Sequence, residues 1–280
     1  MNPLYILIGF AAAAAVVFIF FFVIQPLRKN RRRERLRAKP FPEEWERIIQ
    51  NYVPLYHCLP APLQQELHGH IQVFLDEKYF EGCNSLEIDD VIRVSIAAQA
   101  CILLLNRKTD YYPTLDVILV YPATYIARNK VAEDGLIPLD DDSIRLGESW
   151  KQGMVVLAWD HVKRGARNVR DGQNLVFHEF AHQLDEEDGA ANGTPLLGSR
   201  SQYAAWRRVF KREYKKLRNT WAQDRRRVLD EYGASNPAEF FAVAVEAFYE
   251  KPHQLKMRHP ELFHELHAYF NVDPTQWLSP

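Results

Sequence analysis

The stretch HEFAHQLDEEDG, residues 178–189, constrains the fold of this chain more than any other. Val176, Phe177, Phe180, Ala181 and Leu184 recur at helical spacing, so a helix here buries one face against a core. His178 and His182 then project side by side from a neighbouring face, with Glu179 displaced by one position. This is the H-E-x-x-H arrangement, in which two imidazoles hold Zn²⁺ and the carboxylate reaches the water on the metal. Two imidazoles are half of a four-coordinate site. The fold must therefore bring a third protein ligand to this helix.

Several carboxylates compete for that position. Asp188 lies six residues after His182, where one class of zinc peptidase places its third ligand. That class has a glycine between the two, and here Asp185 stands in its place, so the chain lacks an easy turn back. The other source is a later helix, in YGASNPAEFFAVAVEAFYE (232–250), which offers Glu239, Glu246 and Glu250. Asn236 is a natural N-cap and Pro237 suits the first helical position. Asn-x-x-Glu is also the spacing of a capping box, which needs no metal. On physical grounds Glu239 and Glu246 stand nearly level. Glu239 leads slightly, because the first turn of a helix is well fixed. Asp185, three residues past His182, is a candidate acceptor for that histidine's other N–H.

Charge divides the chain. Residues 1–27 carry no charged side chain, and Leu4 to Ile24 form an apolar run. As a helix that run is roughly 30 Å long, the thickness of a bilayer's hydrocarbon core. It lacks a basic leader and a small-residue cleavage site, so the expectation is a retained transmembrane anchor at 1–27. Residues 28–39 hold eight Lys/Arg and one Glu, +7 in all. With −1 for the whole chain, −8 is left for the rest. The basic stretch 28–40 reads as a juxtamembrane linker that suits anionic lipid headgroups and keeps its end inside. The expected location is a bacterial inner membrane, crossed once, with the body in the cytoplasm. An acidic body argues against nucleic acid as a partner. Cys58, Cys83 and Cys101 are odd in number and share no metal spacing, which fits a reducing compartment.

The soluble domain is expected at 41–280, where Pro40 and Pro42 end the basic stretch. Helices are expected near 43–51, 61–78 and 88–106, the last apolar nearly all round and so buried. Residues 115–122 and 153–160 read as β-strands. The second is followed by a loop, KRGARNVRDG, and offers an edge to an extended peptide. Residues 206–221 form a helix with Trp206, Phe210, Tyr214, Leu217 and Trp221 on one side and a basic face beside them. That face is solvated or touches the inner leaflet. HELH at 264–267 pairs His264 and His267 without a third partner and reads as a terminal amphipathic helix. His161, after the second strand, reads as ordinary.

HEFAHQLD followed by YGASNPAEFFAV, with Tyr232 seven residues before Glu239, resembles the MtfA (Mlc titration factor A) family of zinc-dependent metallopeptidases. FPEEWERII, FLDEKYFEGC, IRVSIAAQACILLL and LGESWKQGMVVLAW extend the resemblance over most of residues 41–270. The resemblance implies a mainly helical α+β domain, zincin-like and of the gluzincin type, with a small β-sheet. It implies one zinc ion per chain on His178, His182 and Glu239, with Glu179 catalytic and Tyr232 supporting the transition state. The family also resembles the catalytic domain of anthrax lethal factor in this Tyr-to-Glu arrangement. Its founding members are soluble and bind the repressor Mlc; neither property is carried over to this chain. The expected activity is hydrolysis of a peptide or protein substrate by metal-activated water, with Glu179 as general base. The rival is a regulatory binding protein that sequesters a repressor and cleaves little. A purely structural metal site is disfavoured by three obvious ligands with no cysteine among them.

Overall fold

The computed structural model describes residues 17–18, 20–123, 153–220 and 227–279. The expected span at 4–24 lies outside them except for residues 17–18 and 20–24. Among the described residues no helix is long and apolar enough to cross a membrane. Val17, Phe18, Phe20, Phe21, Phe22 and Val23 are exposed.

Among the described residues the body is mainly helical with one three-stranded parallel sheet. Helix α1 (Gln25–Arg37) precedes α2 (Glu43–Tyr52) and α3 (Ala61–Glu77), and strand β1 (Tyr79–Gly82) leads to α4 (Asp90–Ile102). Strands β2 (Val117–Tyr121) and β3 (Met154–Ala158) follow, then α5 (Trp159–Arg167) and the motif helix α6 (Leu175–Asp185). Helix α7 (Arg200–Thr220) comes next, and a 3₁₀ turn (Glu231–Ala234) introduces α8 (Pro237–Glu250). The last helices are α9 (Pro252–Arg258) and α10 (Pro260–Phe270). The helices expected near 43–51 and 61–78 and the two expected strands are present, within a few residues at each end. Helix α5 was not expected: it occupies the first half of the segment read as a loop, and His161 lies on it.

Strand order is β1-β2-β3, with Tyr79 opposite Val117 and Val117 opposite Met154. Among the described residues β3 pairs on one side only, as an edge strand does. Strand β1 escaped the sequence reading because YFEG is short and only half-buried. Its Gly82 is required sterically, since a Cβ there would lie 1.8 Å from the carbonyl oxygen of Leu86.

Helix α4 forms the centre. Asp89 caps it by accepting from Ile92 N, and Ile92 and every residue from Val94 to Ile102 are buried. That matches an apolar surface on all sides, which only a helix surrounded by others can bury. The motif helix is seated by aromatic rings on two sides. Phe180 packs against Phe74 and Tyr112 at centroid distances of 5.7 and 4.8 Å, and Phe177 against Tyr249 of α8 at 5.2 Å. Each such ring contributes about 1.5–3 kcal/mol by burial, enough to fix the face that carries the histidines.

The basic segment 28–40 is helical through Arg37 and fastened to the body. Arg33, only 4% exposed, donates to both carboxylate oxygens of Glu77 at 2.6 and 2.8 Å and to Asp110 Oδ1 at 2.5 Å. Its guanidinium also lies 4.7 Å from the centre of the Tyr111 ring. Arg32 pairs with Asp76 and Lys29 with Asp110. Part of the charge that suggested lipid contact is thus neutralised by acids of the domain.

Candidate metal centre

Two asparagine caps place the elements of the site. Asn174 begins α6 by accepting from Phe177 N at 3.0 Å. Its backbone N–H donates to Glu246 Oε2, and its side-chain amide to Gln99 Oε1 and Glu250 Oε1. One residue therefore starts the motif helix and ties it to α4 and α8. Asn236 begins α8 by accepting from Glu239 N at 3.0 Å, with Pro237 at the first helical position. Only half of a capping box forms. The Glu239 side chain turns to the histidines instead.

His178 Nε2 lies 2.9 Å from Glu239 Oε2 and 3.2 Å from His182 Nε2, and His182 Nε2 lies 3.4 Å from the same glutamate oxygen. The edge between two ligand atoms of a tetrahedral zinc site is about 3.3 Å for bonds near 2.05 Å. The three atoms thus already outline one face of such a tetrahedron. Two imidazoles and a carboxylate are also a donor set that zinc accepts. Among the described residues this is the one group of three or more ligand-type side chains close enough to hold a metal ion.

The other ring nitrogen of His178, Nδ1, lies 2.5 Å from Glu246 Oε1. Glu246 therefore stands behind the histidine and sets its ring, as carboxylates do behind ligating imidazoles. Both glutamates weighed as ligands are at the site, on opposite sides of one imidazole. Their spacing of seven residues, two helical turns, puts both on the same face of α8.

The electrostatics follow from burial and pairing. Burial alone would raise Glu239, but hydrogen bonds from His178 and His182 outweigh it and hold the carboxyl at about 2. It is an anion ready for a cation. His178 is desolvated by burial, yet Glu246 and Glu239 raise it well above the usual histidine range. Glu179 is buried, which lifts it to about 7 against the pull of the two histidines. Tyr232, in the 3₁₀ turn before α8, has its ring 5.9 Å from that of His178.

The remaining candidates lie elsewhere. Asp188 is exposed, accepts from Ala190 N and stands outside the group of His178, His182 and Glu239. Asp185 faces the chain rather than His182: its carboxylate accepts from Gly193 N at 2.7 Å and Thr194 N at 2.6 Å. Burial raises Asp185 to about 6 despite those two donors. The effect is positional. Gly193, at φ +76°, comes so close to α8 that a Cβ would lie 2.3 Å from Pro237 O. Asp185 thereby holds the loop against which the ligand helix begins. Glu250 accepts from Gln173 N and Asn174 Nδ2. His161, His264 and His267 belong to no metal-type group among the described residues. Among the described residues the cysteines form no disulfide, with Cys101 buried and the other two half-buried. The Asn174 hub was missed, although an asparagine four residues before His178 is a legible cap signal.

A family model described as glucose-regulated metallo-peptidase M90 matches residues 27–271. A protein of Synechocystis sp. designated slr2042 is 41% identical over 244 residues, covering 87% of this chain and 89% of that protein. Mlc titration factor A of Escherichia coli (strain SMS-3-5 / SECEC) is 28% identical over 237 residues, with 84% and 88% covered. The protein of the same name from strain K12 / DH10B is 27% identical over the same length.

Proposed function

We take family as the premise: the chain belongs to the M90 family of glucose-regulated metallo-peptidases, and we propose that it hydrolyses peptide bonds with a single zinc ion held by His178, His182 and Glu239. The observation that carries this reading is the convergence of those three ligand atoms beside the buried Glu179. Bound there, zinc would supply Lewis-acid polarisation of a substrate carbonyl and of water. Glu179 takes the proton from the attacking water and passes it to the leaving amine. Its burial one residue from His178 places it beside the metal ligands, where a general base must stand. Glu246 fixes the His178 ring, and Tyr232 donates to the oxyanion that develops on the substrate. An extended peptide pairs with the side of β3 that carries no strand among the described residues.

Residues 1–27 anchor the chain in the bacterial inner membrane and 41–280 form the catalytic domain on the cytoplasmic side. That part rests on the uncharged run Leu4–Ile24, the exposed phenylalanines in its last third and the basic residues beyond. Release of the full chain from membranes by carbonate or high salt would contradict it. The relatives named for titrating Mlc support a second reading, in which the chain also holds a regulatory protein.

The decisive test is Glu179→Gln assayed on unstructured peptides. Loss of about 10²–10⁴-fold in kcat with zinc retained is expected. Unchanged hydrolysis with zinc retained would exclude Glu179 as the base. Regulator capture that survives this substitution would show binding to be separable from cleavage.

A further inference from the structure

We propose that the cavity beside the metal centre is an acid-selecting subsite, which takes an aspartate or glutamate side chain of a peptide substrate close to the bond that is cut. The proposal rests on the peptidase reading and adds a substrate class to it. The cavity has a volume of about 550 Å³, within the ~300–1,000 Å³ range of small-ligand pockets. Its position ties it to the chemistry. Pro237 and Phe240, which flank Glu239 in the sequence, form part of its wall, and so do Gly193 and Thr194, which Asp185 of the motif helix holds in place. Pro237, Phe240 and Glu239 share the start of α8, so a side chain in this cavity belongs to a residue near the reacting carbonyl.

The chemistry of the lining is one-sided. Phe210, Tyr214 and Phe240 form an aromatic floor, with Phe210 and Tyr214 packed edge-on against Phe240 at 5.6 and 5.8 Å. The rim is cationic. Arg207, Lys211, Lys215 and Arg218 repeat at helical spacing along α7, all four line the cavity, and all four are exposed. None of them forms an ion pair among the described residues. Arg212, on another side of the same helix, is by contrast paired with Glu213 and Glu261. Like charges stacked at i, i+4 repel one another, and an anionic ligand relieves that repulsion. Among the described residues the single acid of the lining is Asp188, whose Oδ1 accepts from Ala190 N. An apolar floor under a cationic rim fits the methylenes and carboxylate of a glutamate or aspartate, and arginine can take that carboxylate through two parallel bonds.

The test uses the full zinc-loaded chain and quenched fluorescent peptides of one core sequence. Glu, Gln or Lys is placed at each of three positions on either side of the cleaved bond. The expected result is a preference for Glu over Gln on the order of tenfold in kcat/KM at one position. Arg207→Glu and Lys211→Glu should abolish that preference, while cleavage of the Gln peptide stays within about twofold. Lys211→Gln is the milder variant should a reversed charge disturb the helix. Equal rates for Glu and Gln at every position, or a preference untouched by these substitutions, would overturn the proposal. Should no peptide be cleaved at all, the peptidase reading fails. Anisotropy of the labelled Glu and Lys peptides on the Glu179→Gln chain then still decides the subsite. Tighter binding of the Glu peptide, lost in Lys211→Glu, supports it, and equal binding refutes it.

Discussion

At the scale of single residues, the site depends on which atom of each side chain faces which neighbour. His178 presents Nε2 to Glu239 and Nδ1 to Glu246, so one imidazole separates the proposed ligand carboxylate from an orienting one. Asn174 has the widest reach, joining the cap of α6 to Glu246, Glu250 and Gln99. Asn174→Ala removes the cap and leaves buried acceptors without a donor, each loss worth about 1 kcal/mol or more. We expect a fall of about 2–3 kcal/mol in unfolding free energy and weaker zinc binding, measured by denaturant titration and by competition with a zinc-binding dye. Unchanged values for both would show the hub to be passive. HEFAH, Asn236, Pro237 and Glu239 were legible in the sequence because helical spacing and cap chemistry are local rules. The division of labour between Glu239 and Glu246 was not legible. It depends on the lateral position of α6 against α8, which the Gly193–Pro237 approach and the aromatic contacts set.

At the scale of elements, α6 and α8 form the working pair and the other helices hold them. Expectations for α2, α3, α4, β2 and β3 followed from hydrophobic period and turn residues. Helix α5 and strand β1 did not, since an Arg-rich amphipathic turn and a four-residue half-buried strand resemble loops. Helix α1 is the most informative difference. A run of arginines reads as a solvated or lipid-facing linker, yet Arg33 is buried against Glu77, Asp110 and the Tyr111 ring. Local composition carries no trace of those distant acids. Arg33→Ala leaves Glu77 largely buried without its partner. Because Asp110 is 55% exposed, the loss falls below the ~3–5 kcal/mol of a fully buried pair. We expect about 2 kcal/mol and faster tryptic cleavage at the other arginines of α1, with peptidase activity retained. Cleavage at the wild-type rate would show that α1 is held by other contacts.

At the scale of the whole molecule, an acidic body is fastened to a basic helix and carries a cluster of buried acids behind its histidines. Glu250 stands out among them. Burial pushes its carboxyl up to about 9 from an ordinary 4.5, with Asn174 offsetting part of the effect. A carboxyl raised on folding favours the protonated native state. Its contribution to stability is full below about pH 4.5 and is lost as the pH rises toward about 9. Wild-type Tm should therefore fall relative to Glu250→Gln across that window, read by thermal melts at matched free zinc. Parallel curves for the two proteins would contradict the shift. The family and the site motifs were open to inspection in the sequence, whereas the way in which the body holds both ends of the site required the fold. The central claim is that His178, His182 and Glu239 hold the metal while Glu246 orients His178. Zinc per chain at saturating zinc, compared between Glu239→Gln and Glu246→Gln, tests it most directly. The account predicts loss of stoichiometric zinc in Glu239→Gln and retention in Glu246→Gln. Stoichiometric zinc in Glu239→Gln with loss in Glu246→Gln would contradict it.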